Sequence, residues 1–258
     1  MLLVVLIAAI VAIPIWHALQ PKKAAAAVCS TTATATQTAA IAYTLTPTQA
    51  ANAATIAAVG RREGLPDHAV TIALATALQE SKLANLSYGD RDSVGLFQQR
   101  PSMGWGTPQQ LQDPVYAAHA FYARLTKVHG WQTASVTDAA QAVQRSGAPY
   151  AYADWESEAR ALARALTGEA PAGFTCLSIP SSTGVTSVQV LANRELGRQV
   201  STTPTSTAAG WADASWLVAH AAQLGLDSVS FHGYTWLRSR GTWAASGAGG
   251  SALQYRTV

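Results

Sequence analysis

The stretch "LATALQESKLANLSYGDRDSVGLFQQRPSMGWGT", Leu74 to Thr107, decides how the chain is read. It opens as a helix of small apolar residues. Val70, Ala73, Leu74, Ala77 and Leu78 recur at three- and four-residue spacing and predict one apolar stripe. Glu80 breaks that pattern where the helix ends, at the edge of the stripe. A carboxyl held against apolar neighbours ionises reluctantly, so its pKa is expected to rise, as a general acid working near neutral pH requires. The polar loop that follows carries Asp90 and Asp92, and the chain then turns apolar at Gly95-Leu96-Phe97 before Gln98 and Gln99.

Helix signals surround this stretch. Thr46-Pro47 with Gln49 gives an N-cap, a first-turn proline and a capping box, and that helix runs to Gly64. A second helix is expected from about Asp67 to Glu80 or Ser81. A third opens at Asp113-Pro114, a fourth at Ser135 with Asp138 three residues on, and a fifth spans about Ala153 to Thr167 before Gly168. Residues 44–169 thus read as an all-helical domain with one long loop, Leu83 to Gln112, of a length usually reserved for function. Residues 170–185, rich in Pro, Gly, Ser and Thr, read as a linker. Residues 186–258 read as a small α+β unit, with a helix within Gly210–Gly225 and strands in "SVSFHGYTWLRSR" and "LQYRTV". The fold class expected is α+β.

The N-terminal end has a different character. Leu2 to Leu19 is almost wholly apolar and, at about 1.5 Å per residue, nearly crosses a ~30 Å hydrocarbon core. Residues 1–21 are therefore read as a transmembrane anchor, with a cleaved signal segment as the rival. Residues 22–43, Ala/Thr-rich after Lys22 and Lys23, are read as a flexible linker. By the positive-inside rule those lysines alone would keep the rest of the chain in the cytoplasm, and basic residues upstream would reverse this. The expected location is extracytoplasmic, in the cell envelope, either anchored by one pass or secreted.

Composition narrows the function. Of 258 residues 49% are hydrophobic and only 12% charged, with a formal net charge of +3. No Lys/Arg stripe points to nucleic acid, whereas an anionic envelope polymer suits this charge. No P-loop, G-x-S-x-G, G-x-G-x-x-G or HExxH motif is present, and no cofactor or metal site is expected. The two cysteines, Cys29 and Cys176, are either paired outside the cell or independent buried thiols, and lipidation of Cys29 is a third reading.

Glu80-Ser81, a loop, then Gly95-Leu96-Phe97-Gln98-Gln99 resembles the E-S and G-L-M-Q motifs of lytic transglycosylases and goose-type lysozymes. Phe97 stands where that family often has Met. The resemblance covers about residues 46–167. It implies a lysozyme-like domain in which Glu80 is the catalytic acid and Ser81 its neighbour, and in which Gln98 and Gln99 offer amides to substrate. For the family's later Tyr-Asn motif two candidates remain, Gln144 and Tyr152. Trp105 is either a sugar-stacking residue or a loop anchor.

The substrate so implied is the β-1,4 bond between N-acetylmuramic acid and N-acetylglucosamine in peptidoglycan strands. A transglycosylase needs no second carboxylate and leaves 1,6-anhydro ends. A lysozyme-type hydrolase would use Asp90 or Asp92 as a second carboxylate. A non-catalytic peptidoglycan-binding protein and a structural adaptor of an envelope-spanning machine are the readings from other classes. The tail is similar to peptidase-like modules that follow lytic domains in secreted actinobacterial proteins. It lacks their His/Asp metal ligands, so an accessory role is expected.

Overall fold

The computed structural model describes residues 25–33, 41–180, 186–247 and 250–258. Among these the chain is α+β, with nine α-helices and two small antiparallel sheets. The first sheet joins β1 (Val28–Ala33), β2 (Ile41–Leu45) and β3 (Phe174–Leu177) in the order β2-β1-β3. The helices that follow β2 are α1 (Pro47–Arg62), α2 (Asp67–Ser81), α3 (Pro108–Leu111), α4 (Pro114–Leu125), α5 (Val136–Gln144) and α6 (Glu156–Leu166). After β3 come α7 (Val188–Glu195), α8 (Thr207–Ala219) and α9 (Ala221–Leu224). The second sheet has the order β6-β5-β4-β7, from β4 (Leu226–Phe231), β5 (Tyr234–Leu237), β6 (Thr242–Ala245) and β7 (Gln254–Thr257).

The capping residues act as their types dictate. Thr46 accepts from Gln49 N, and the Gln49 side chain returns a bond to the Thr46 backbone. Asp113 caps α4 ahead of Pro114, and Ser135 caps α5 by accepting from Asp138 N. The His232-Gly233 turn between β4 and β5 has positive φ at both residues, 49° and 81°, as a two-residue hairpin turn matched to strand twist requires.

Helix α2 is the axis of the helical layer. Ala69 to Leu78 are all buried, so the expected single stripe is instead a helix covered on every side. It packs against α1, α4, α5 and α6. Ala and Thr suit that position because small side chains let neighbours approach. Thr71 and Thr76 return their hydroxyls to the carbonyls of Asp67 and Ile72, so neither leaves an orphan polar group.

Three boundaries differ from the sequence reading. Residues 22–43 do not form a plain stalk, because Val28–Ala33 and Ile41–Leu45 pair as strands. Residues 170–185 are not simply a linker, because β3 lies within them, with Phe174 and Cys176 fully buried. Cys29 and Cys176 stand directly opposite on β1 and β3 and form a disulfide. The C-terminal unit is not packed separately. Trp236 and Trp243 donate their indole N–H groups to the carbonyls of Cys176 and Phe174, and one hydrophobic core runs from Cys29 to Leu253. The anchor expected at Leu2–Leu19 lies outside the described residues. Among those described, no helix is long and apolar enough to cross a membrane.

A buried polar knot joins the N- and C-terminal halves. Glu195 of α7 accepts from Thr55 Oγ1 of α1 at 2.9 Å and from Trp216 Nε1 of α8 at 2.7 Å, and His220 Nε2 lies 3.4 Å away. Burial raises the Glu195 carboxyl, but the His220 charge and these hydrogen bonds outweigh it and hold it below its ordinary value. Burial lowers His220, yet the Glu195 charge and the Trp216 carbonyl outweigh that and raise it. The His220 share of stability is therefore full below the unfolded value of 6.5 and is lost as pH climbs through the higher folded value. The Glu195 share is present above 4.5 and is lost as pH falls through the lower folded value. Glu195→Gln strands a buried cation or forces it neutral. Urea unfolding at about pH 6 should show a loss of about 3 kcal/mol, with a flatter stability profile on either side.

Candidate functional site

Helix α2 leaves the core at Glu80, and the backbone just beyond is held in an unusual form. Lys82 and Leu83 both take left-handed φ values, 55° and 60°, and neither is glycine. Two side chains of α1 hold them there: Gln49 Nε2 donates to the Lys82 carbonyl and Asn52 Nδ2 to the Leu83 carbonyl, each at 2.8 Å. Conformations of this kind persist only where surrounding structure enforces them, and they cluster at functional sites.

The half-buried Glu80 lines a groove of about 910 Å³. Tyr152 Oη donates to Glu80 Oε1 at 2.8 Å, and Gln144 Nε2 donates to the same oxygen at 3.2 Å. Among the described residues both hydrogen bonds to this carboxyl go to Oε1 and none to Oε2. Each clamp is itself positioned. Gln144 is the last residue of α5 and also donates to the Phe97 carbonyl at 2.8 Å, which ties Glu80 to the opposite wall. Tyr152 precedes the turn Ala153–Trp155, pinned to α2 because Trp155 Nε1 donates to Gln79 Oε1 at 2.8 Å and Lys82 Nζ lies 3.7 Å from the Trp155 ring centre. Burial, and then the Glu80 charge, push the Tyr152 phenol above its ordinary value, so it stays a proton donor to Glu80.

The structure brings both alternatives for the later motif, Gln144 and Tyr152, onto one carboxylate oxygen. The other expected substrate contacts take different places. Ser81 is buried and donates to the Leu96 carbonyl at 2.7 Å, so it fastens the helix end to the Gly95–Gln99 wall and does not line the groove. Gln99 is buried too, with Nε2 donating to the Ala117 carbonyl, and lies away from the groove lining. Gln98 does line the groove, but its amide is directed to the carbonyls of Tyr88 and Gly95. Gly95 has φ 80°, and a Cβ there would collide with the Leu111 carbonyl, so close backbone approach is what this glycine supplies. Trp105 is only 9% exposed, with the Arg124 guanidinium 3.5 Å from its ring centre. It anchors the loop and offers the groove little open surface.

The two aspartates separate. Asp92 accepts from Arg100 Nε at 2.9 Å, Ser102 N at 2.7 Å and Ser102 Oγ at 3.0 Å. Arg100, and then Ser102, hold its carboxyl well below the usual carboxylate range, and it does not line the groove. Its role is to close the loop. Asp90 does line the groove; its side chain is 92% exposed and lies 3.9 Å from Arg91. Sequence reasoning missed the sign of the groove: five cations, Arg91, Arg100, Arg124, Lys127 and Arg145, line it against the two carboxylates Glu80 and Asp90. Compared with known proteins, the chain matches no family model and no curated protein sequence.

Proposed function

We propose that this protein cleaves the β-1,4 bond between N-acetylmuramic acid and N-acetylglucosamine in peptidoglycan, as a lytic transglycosylase acting outside the cytoplasm. The observation that carries this reading is the clamp on Glu80. Two donors fix Oε1, and Oε2 is free to deliver a proton into a groove large enough for several sugar rings. The Cys29–Cys176 disulfide supports an oxidising compartment.

The step runs as follows. Protonated Glu80 gives its proton to the glycosidic oxygen as the bond from that oxygen to C1 of the muramyl sugar breaks. Positive charge builds on that ring while Glu80 becomes an anion. Tyr152 and Gln144 already point donors at Oε1, so their bonds strengthen as the negative charge appears, without reorganisation. Anionic Glu80 then takes the proton of the sugar's own C6 hydroxyl, whose oxygen closes on C1. The product is a 1,6-anhydro end, and Glu80 is protonated again.

The fate of the aspartates supports this route over hydrolysis, because Asp92 is consumed by Arg100 and Ser102. Asp90 lines the groove and keeps a hydrolase as the second reading, with Asp90 positioning water. Digestion of purified cell walls by the full chain tests the proposal. Release of soluble muropeptides is expected. Glycan binding without release would instead assign the groove to a non-catalytic binding protein.

A further inference from the structure

Three of the groove cations come from the ends of two helices. Arg124 lies in the last turn of α4, Lys127 three residues later, and Arg145 follows Gln144 in the left-handed residue that ends α5. Their surroundings differ from those of the other two. Arg100 is paired with Asp92, and Arg91 lies near Asp90. Arg124 spends one guanidinium nitrogen on the carbonyls of Met103 and Gly104 and stacks on Trp105. Among the described residues none of Arg124, Lys127 and Arg145 has a carboxylate partner.

Cations after helix C-termini are ordinarily explained by the partial negative charge there. That accounts for Lys127 and Arg145 singly. It does not account for their convergence with Arg124 on one groove, where like charges oppose each other. Burial first, and then the Arg145 charge, lower the Arg124 guanidinium from its ordinary value, so the like-charge opposition is the lesser of the two causes. An anion between them would relieve it.

We infer that Arg124, Lys127 and Arg145 form an anion subsite that takes carboxylates of the peptide-bearing substituent on the muramyl sugar. This rests on the proposed muramidase reading and deepens it. Arg124, Lys127 and Arg145 line the same groove as Glu80, so the subsite shares the groove of the reacting bond. The bond beside Glu80 would then be chosen by charge as well as by sugar shape, and an uncharged N-acetylglucosamine polymer would be a poor ligand. Phosphate polymers attached to the wall offer an anion as well. Carboxylates are favoured because they are carried on the very sugar whose bond breaks.

The test uses the full chain carrying Glu80→Gln, so that strands stay intact, and three soluble glycan probes. The first keeps its stem peptides and has its phosphate polymers stripped. The second is that same probe with its carboxylates amidated. The third has amidated carboxylates but retains its phosphate polymers. The first should bind about tenfold more tightly than the second, as two or three partly exposed ion pairs would give. Raising salt to about 0.5 M should shrink the ratio. Adding Lys127→Gln and Arg145→Asn should bring it close to one, Asn being tolerant of the left-handed position, while Lys127→Arg with Arg145→Lys should preserve it. Equal binding of the first two probes, or an unchanged ratio in the neutral variant, overturns the subsite and leaves the muramidase reading standing. Tight binding of the third probe alone would assign the cations to phosphate and overturn the carboxylate assignment. Binding of none of the three overturns both readings.

Discussion

Glu80→Gln should lower the rate of muropeptide release about 10³-fold while leaving the unfolding temperature nearly unchanged. The substitution is close to isosteric, and Gln keeps an oxygen that accepts from Tyr152 Oη and Gln144 Nε2, so the clamp and the helix end survive. What is lost is the transferable proton, and removal of a positioned general acid typically costs 10²–10⁴ in rate, roughly 3–5 kcal/mol of barrier. Because Glu80 acts on the scissile oxygen and not on the rest of the strand, the loss should fall on kcat with KM little altered. Tyr152→Phe provides the calibration. It keeps the buried ring and removes only the hydroxyl that supports the anionic form of Glu80, so about a tenfold loss is expected. Initial rates of soluble product release from purified walls measure both. A Glu80→Gln variant as fast as wild type would remove this carboxyl from the chemistry.

Removing the disulfide should cost about 4 kcal/mol of stability. Cys29 and Cys176 are 147 residues apart in sequence, so their bond restricts nearly all of the helical layer in the unfolded chain. Loop-closure entropy for so long a segment is worth about 5 kcal/mol in the chain-entropy model, and measured values usually fall below that limit. The bond also lies across the β1–β3 pairing, the contact through which the N-terminal strand meets the segment leading to the C-terminal unit. In a Cys29→Ser, Cys176→Ser variant the unfolding temperature should drop by roughly 10 °C, given about 2–4 °C per kcal/mol at this size. Reductant should have the same effect on the wild type. An unchanged urea midpoint would mean that strand pairing alone holds this edge.

The helical layer was legible because its signals are local. Thr46, Asp113 and Ser135 announce their helices through residue types that cap by short-range hydrogen bonds, and all three do so. The same rule missed one helix whose signal was present: Thr107-Pro108 with Gln110 repeats the pattern of Thr46-Pro47 with Gln49 and caps α3 inside the long loop. The first sheet was not legible. "VCSTTA" has no clear apolar alternation, and its partners lie far along the chain at Ile41–Leu45 and Phe174–Leu177. Composition also misled at residues 170–185, where the turn-forming residues around "FTCL" hid a short strand with alternating burial.

The site divides in the same way. Glu80 stood out because a carboxylate at the end of a small-residue helix is a local anomaly, and Gln144 and Tyr152 were reachable only as candidates for a later groove-lining motif. That both hold the same oxygen is a tertiary fact, set by the end of α5 and the pinned turn before α6. Ser81 and Gln99 were misplaced because adjacency in sequence says nothing about which side of a wall a side chain faces. The basic groove lining was invisible for the same reason: Arg124 and Arg145 belong to different helices, and only folding brings them together.

Mass spectrometry of the muropeptides that the full chain releases from purified walls is the most direct test of Glu80 as acid and then base. Products ending in 1,6-anhydro-N-acetylmuramic acid, absent from the Glu80→Gln digest, are the expected result. Reducing-end products alone would contradict the transglycosylase step and turn attention to Asp90, and no released product at all would contradict glycan cleavage itself.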